Sequence, residues 1–299
     1  MKQKVKEFLV NFETNANKHK YQLDWRGNEH IKYLGKSMCE IDGTPVFIKS
    51  GNYHGLVFGK ASSEMYNKIG IPTPRNILLR DTDSNELYTA SQDITLLNDE
   101  DMEIVCAHFA PEIQHLKKDF TKIKVDNKWS ILYNEEEKQK FLQHMTESCF
   151  DDIICILLLD ELRTDPDRHW RNYFLYRKKG ATKYEGVIPI DLEFAYFTSR
   201  EFDAFKDYDK YQTYSIYSCR DNNKSYSTRI FNILSLIQDN QLTPQQTSTL
   251  KKALAFDFGK CFCKTAKECD MIRFQSTQAK ADFIKQQWEY LNNTLGKEL

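Results

Sequence analysis

Between Asp165 and Asn172 the chain reads Asp-Pro-Asp-Arg-His-Trp-Arg-Asn, and a later apolar run ends in Ile188-Pro189-Ile190-Asp191. An Asp and an Asn in one short loop, followed by a second Asp leaving a buried strand, are the residue types that phosphoryl transfer requires. That reaction asks for little covalent help from a protein. The triphosphate must be clamped, its charge neutralised by metal, and the attacking hydroxyl aimed in line. Asp167 suits the acceptance of the hydroxyl proton, a role worth about two to four orders of magnitude in rate. Asn172 and Asp191 offer the oxygen ligands that magnesium prefers. Lys49, at the end of the extended stretch Val46-Phe47-Ile48-Lys49, would hold the α- and β-phosphates, and Glu64 on the following helix would orient that lysine through an ion pair.

Each residue also has an ordinary reading. Asp167 stands in turn-forming company, Lys49 reads equally as a solvated strand end, and an acid in a first helical turn gains roughly 0.3 to 1 kcal/mol from the macrodipole alone. The coincidence of Asp167, Asn172 and Asp191 favours function over turn chemistry. Arg168 and His169 read as braces of the loop. Asp257-Phe258-Gly259 spells the magnesium tripeptide of protein kinases, yet it falls inside the helical run 250–267, where no strand end presents a metal ligand. The metal role is therefore assigned to Asp191.

The elements that must position these groups divide the chain. Val5, Phe8, Leu9 and Phe12 fall at helical spacing. From Tyr21 to Lys49 short apolar stretches alternate with turn signals, and Asp42-Gly43 between two of them predicts a hairpin. A helix is predicted from about Ser62, with Ser as N-cap, to Gly70 ahead of Pro72 and Pro74. Extended runs follow at Asn76 to Leu79 and Glu86 to Ala90. Beyond Leu96 the pattern predicts helices over 99–116, 135–163, 228–239, 243–268 and 277–295. A strand pair over 172–176 and 186–190, turning at Lys178-Lys179-Gly180, carries the suspect residues. The expected architecture is α+β and two-lobed: residues 1–95 as a small sheet-rich lobe with an N-terminal helix and one inserted helix, residues 96–299 as a larger helical lobe, and a cleft between them.

Composition excludes several other classes. With 42 Lys+Arg against 43 Asp+Glu there is no global attraction for nucleic acid or an anionic bilayer, and no nucleic-acid partner is expected. The 40% hydrophobic and 13% aromatic content is enough for a substantial core. The longest aliphatic run, Ile153 to Leu159, is too short to span a membrane, and the first residues lack the apolar stretch of a secretory signal. The 8 cysteines read as reduced thiols. Cys261, Cys263 and Cys269 form no CxxC pair and have no neighbouring His, which argues against zinc.

Asp-x-Asp-Arg-His-x-x-Asn followed by Pro-x-Asp resembles the HipA family of bacterial kinases, and Asp-Arg-His-x-x-Asn followed by Ile-Asp also resembles phosphoinositide 3- and 4-kinases. The resemblance covers about residues 33–197. It implies a protein-kinase-like fold, ATP and Mg2+ (or Mn2+) as cofactors, Asp167 as catalytic base, Asn172 and Asp191 as metal ligands and Lys49 as the phosphate-binding lysine. It further implies a hinge for adenine at Thr89 to Asp93, with Gln92 beside it. The implied activity is transfer of a γ-phosphate to a protein hydroxyl, Ser or Thr, with a phosphoinositide lipid kinase or a pseudokinase scaffold as the alternatives. A HipA-like motif in an Asn-, Lys- and Tyr-rich chain points to a bacterial source, and to a toxin or regulator in its own cytosol or a Legionella-type effector secreted into a host.

The chain departs from both families before Lys49. Leu34-Gly35-Lys36-Ser37-Met38-Cys39 holds a single glycine where a glycine-rich phosphate cover is expected. Either nucleotide binds weakly or another element completes its cover, and an activator is one reading of that. Lys251, Lys252, Lys260, Lys264, Lys267 and Arg273, and the run Lys117, Lys118, Lys122, Lys124 and Lys128, read either as solvated faces or as a pocket for a polyanion such as an inositol phosphate or phosphoinositide headgroup.

Overall fold

The computed structural model describes residues 1–16, 29–35, 37–51, 53–81, 83–116, 135–163, 170–192, 233–269 and 274–299. Helix α1 (Lys2–Ala16) buries Val5, Leu9 and Phe12 along one stripe. Strands β1 (Ile31–Gly35), β2 (Met38–Ile41) and β3 (Thr44–Ser50) form an antiparallel meander. As the Asp-Gly pair predicts, the β2–β3 hairpin turns on Asp42 and Gly43, both at positive φ (47° and 78°). That is the backbone a two-residue type I′ turn demands.

Helix α2 (Tyr53–Ile69) starts earlier than the sequence pattern suggests. Ser62 is not a cap but a buried mid-helix residue, as is Ser63, whose hydroxyl donates to Pro74 O at 2.7 Å. The helix includes Gly55, Gly59 and two serines, all weak helix formers, so its length comes from packing. Phe58 lies 4.9 Å from Phe258 and 6.2 Å from Phe262, centroid to centroid. Its end agrees with expectation, at Gly70 with φ of 102°.

Strands β4 (Asn76–Arg80) and β5 (Leu87–Gln92) complete a five-stranded antiparallel sheet in the order β1-β2-β3-β5-β4. The segment 99–116 is not the expected helix. It opens with strand β6 (Met102–Cys106), which buries Met102 and Ile104, and continues in short 3-10 turns. Pairing of β6 with β7 (Tyr173–Lys178), and of β7 with β8 (Gly186–Pro189), overrides the helical spacing and gives a second sheet, β6-β7-β8.

The predicted helix over 135–163 is two helices, α3 (Glu135–Leu142) and α4 (Glu147–Arg163), the second starting where Thr146 accepts from Cys149 N. Helix α4 is the buried centre of the helical part. Residues 233–238 are helical, and the predicted helix over 243–268 breaks at Ala255–Asp257 into α5 (Pro244–Leu254) and α6 (Phe258–Cys269) before α7 (Phe274–Leu295). The fold is thus α+β, a small antiparallel sheet beside a larger helical part, with one large core cluster shared by α2, α4, α5, α6 and α7. Among the described residues no helix is long and apolar enough to cross a membrane.

Candidate active site

A cavity of about 660 Å³ separates β3 and β5 from the end of β8. Strand alternation decides what enters it. Val46 and Ile48 point into the core of the first sheet, so Phe47 and Lys49 point the other way and line the cavity. Opposite them the chain leaves β8 through Ile190, Asp191 and Leu192, which line the same space. Lys49 Nζ is 2.8 Å from Asp191 Oδ1, an ion pair between side chains 39% and 23% exposed.

Asp191 is held in an unusual conformation, with φ of 58°. A left-handed non-glycine residue costs about 1 to 3 kcal/mol and persists where its surroundings over-determine it. Among the described residues its Oδ1 receives no directed hydrogen bond, the Lys49 contact being ionic rather than aligned. Asn172 is buried at the end of a 3-10 turn ahead of β7, and its carbonyl accepts from Ile190 N at 3.0 Å. The two residues read as metal ligands are thus brought to adjacent strand ends of one hairpin.

Two expectations turn out differently or lie elsewhere. Asp167 lies outside the described residues. Glu64 does not orient Lys49. With α2 beginning at Tyr53, Glu64 lies well along the helix, pairs with Lys60 of the same helix at 2.9 Å and accepts from Cys261 Sγ of α6 at 3.1 Å. Burial works to raise the Glu64 carboxyl, but the charge and hydrogen bond of Lys60, with Cys261, hold it below its ordinary range. The same burial and the Glu64 charge push the Cys261 thiol up. Gln92 does line the cavity, with its amide engaged: Nε2 donates to Phe8 O at 3.0 Å and Oε1 accepts from Arg75 N at 3.4 Å.

The stretch before Lys49 forms the β1–β2 turn, with Gly35 and Ser37 at positive φ. Ser37 lines the cavity, and its carbonyl accepts from Ile48 N at 2.7 Å. Lys251, Lys252, Lys260, Lys264 and Lys267 are exposed on α5 and α6, and Lys264 lies 3.8 Å from Glu268. Arg273 and residues 117–128 lie outside the described residues.

Sequence reasoning passed over a buried polar group beside the site. Arg163, fully buried at the end of α4, donates from Nη1 to Leu192 O (3.1 Å) and from Nη2 to Asp160 Oδ1 (3.0 Å). Tyr66 of α2 donates to the same Asp160 oxygen at 2.8 Å, and Thr73 Oγ1 donates to Pro189 O at 2.7 Å. The available signal was Asp160-Glu161-Leu162-Arg163, charges closing an apolar run at the i, i+3 spacing of a helical ion pair.

No family model matches the chain, and no curated protein does. Among solved structures the chain is similar to the Helicobacter pylori proinflammatory kinase CtkA, with a TM-score of 0.53 and 15% identity, over 91% of this chain and 94% of that one. It is also similar to HipA of Shewanella oneidensis MR-1, solved with HipB and operator DNA, at a TM-score of 0.46 and 11% identity, over 97% of this chain and 71% of that one. The likeness to CtkA extends along nearly the whole of both chains, and the fold is the two-lobed kinase-like one that the HipA resemblance implies.

Proposed function

We propose that this chain is an ATP-dependent atypical protein kinase that transfers the γ-phosphate to a protein hydroxyl of Ser or Thr. The observation that carries this reading is the Lys49–Asp191 pair at 2.8 Å, facing a cavity of about 660 Å³ in a kinase-like fold. The lobes are read as 1–95 and 96–299, with the cavity between them.

The donor set fits magnesium. This ion favours oxygen ligands, is commonly held by only one or two carboxylates, and completes its octahedron from phosphates and water. Asp191 supplies a carboxylate oxygen without a directed donor, and Asn172 supplies an amide oxygen from the neighbouring strand end. Among the described residues no group of three or more His, Cys, Asp or Glu forms a closed all-protein metal cage. Bound magnesium, or manganese, would neutralise charge on the β- and γ-phosphates.

Lys49 would hold the α- and β-phosphates with its ammonium in place of its contact with Asp191, and Asp191 would serve as a ligand of the metal. Asp167 accepts the proton of the acceptor hydroxyl as the new O–P bond forms and ADP leaves. Gln92, tied to the backbone on both sides, shapes the wall near the base. The exposed lysines of α5 and α6 supply positive charge for a polyanionic activator, which would compensate the single-glycine cover before Lys49.

The test is incubation of the purified chain with Mg2+ and terminally labelled ATP, alone and with bacterial or eukaryotic extract as acceptor. Label should enter protein with the wild type and with neither Asp167→Ala nor Asp191→Ala, both variants remaining folded by circular dichroism. Undiminished labelling in either variant would remove the mechanism.

A further inference from the structure

We infer that Thr73 and Arg163 are positioning residues that hold Asp191 in its metal-binding conformation. This rests on the kinase reading of Asp191 given above. The left-handed backbone at Asp191 is fixed from both sides. Before it, Pro189 O accepts from the Thr73 hydroxyl at 2.7 Å and Ile190 N donates to Asn172 O at 3.0 Å. After it, Leu192 O accepts from Arg163 at 3.1 Å.

Each anchor is itself rigid. Thr73 is buried between Pro72 and Pro74, and Asn67 of α2 brackets its backbone, donating to Thr73 O at 3.0 Å and accepting from Thr73 N at 3.3 Å. Proline on both sides removes backbone freedom that would blur the hydroxyl's position. Arg163 lies over the Tyr66 ring, its Cζ 5.0 Å from the centroid, and its guanidinium is held by Asp160, which also receives the Tyr66 hydroxyl. A planar guanidinium with a fixed fork suits this bridging, and a lysine ammonium lacks that fork.

Both anchors lead back to α2, the helix that follows Lys49. Thr73 is tied to it through Asn67 and Arg163 through Tyr66. The strand end that carries Asp191 is thereby tied to the helix that follows β3. Partners behind a metal ligand orient it, and losing one typically costs about 10- to 100-fold in metal affinity.

The experiment measures Mn2+ binding by electron paramagnetic resonance in the presence of ADP, and ADP binding in EDTA, on the full chain. Thr73→Val and Arg163→Lys should each weaken Mn2+ about tenfold or more, with metal-free ADP affinity unchanged and Thr73→Ser restoring the wild-type value. If Thr73→Val and Arg163→Lys fold and take up Mn2+ like the wild type, the positioning role is overturned and the kinase reading stands. If Arg163→Lys does not fold, Thr73→Val against Thr73→Ser decides. Should the wild type itself take up no Mn2+ with ADP, the kinase reading falls and this inference falls with it.

Discussion

Lys49 and Asp191 meet at 2.8 Å across the cavity although they come from different sheets, one at the end of β3 and one just past β8. Neither strand pairs with the other, so the pair measures how the two sheets sit together. In the absence of phosphate the Lys49 ammonium offsets the Asp191 charge. Lys49→Met should therefore leave Asp191 without its cation and abolish labelling by ATP. Because the ammonium is 39% exposed, thermal stability should change little. A melting curve beside the labelling assay checks both halves, and a collapse of the fold would contradict the second.

Glu64 is expected to be dispensable for chemistry. Its partners are Lys60 and Cys261, on the side of α2 that meets α6. Glu64→Gln should keep phosphate transfer near the wild-type rate at neutral pH and change the acid stability instead. The folded carboxyl lies below its ordinary value of 4.5. Its contribution is therefore present above that value and is lost as pH falls through the depressed one. Urea unfolding at about pH 7 and about pH 4 should show the difference between variant and wild type shrinking in acid. A loss of activity at neutral pH would return Glu64 to the site.

The local features of this fold were legible and the tertiary ones were not. Asp42-Gly43 and the β7–β8 strand pair could be read because turn chemistry is local and each turn joins strands adjacent in sequence. The pairing of Asn172 with the Asp191 end was legible for the same reason. Glu64 was misread because its role depends on where α2 begins, and packing of Phe58 against Phe258 and Phe262 extends that helix through residues that disfavour one. β6 was misread because its partner β7 lies far along the chain. Thr73 and Arg163 escaped notice because they bond backbone carbonyls, Pro189 O and Leu192 O, which leave no mark in residue type.

Asp257-Phe258-Gly259 has a purely structural account, which gives a sharp contrast with Asp191. Asp257 Oδ1 accepts from Lys260 N at 2.8 Å and caps α6. Gly259 faces α7, where an added Cβ would stand 2.8 Å from Lys285 Cβ and 2.9 Å from its Cα. Backbone cannot retreat cheaply, so Gly259→Ala should destabilise by about 1 to 3 kcal/mol through overpacking. Asp257→Ala should cost about 1 kcal/mol through the lost cap and leave Mn2+ binding intact. Denaturant melts and a metal titration on the two variants check this, and loss of metal on Asp257→Ala would reinstate the tripeptide.

Helix α1 joins parts of the molecule that the cavity separates. Phe12 belongs to the core of the first sheet, whereas Val5 and Leu9 pack with Ile94, Met102, Ile104 and Ile188 around the second. Between them Phe8 O accepts from Gln92, and Lys2 Nζ pairs with Asp152 of α4 at 3.0 Å. The helix thus spans the link between β5 and β6. Leu9 is 1% exposed, so Leu9→Ala should cost about 2 to 5 kcal/mol from the lost transfer energy and the cavity left behind. Lys2→Met removes an ion pair whose lysine is 41% exposed but leaves Asp152 buried, with Gln245 still donating to it at 2.8 Å, and should cost less. If α1 also sets the spacing of the sheets, Leu9→Ala should weaken ATP binding at a temperature where the variant is still folded, because Gln92 and the Lys49–Asp191 distance both depend on that spacing. Isothermal titration well below the variant's melting point measures this directly. An unchanged affinity would make α1 a packing element alone.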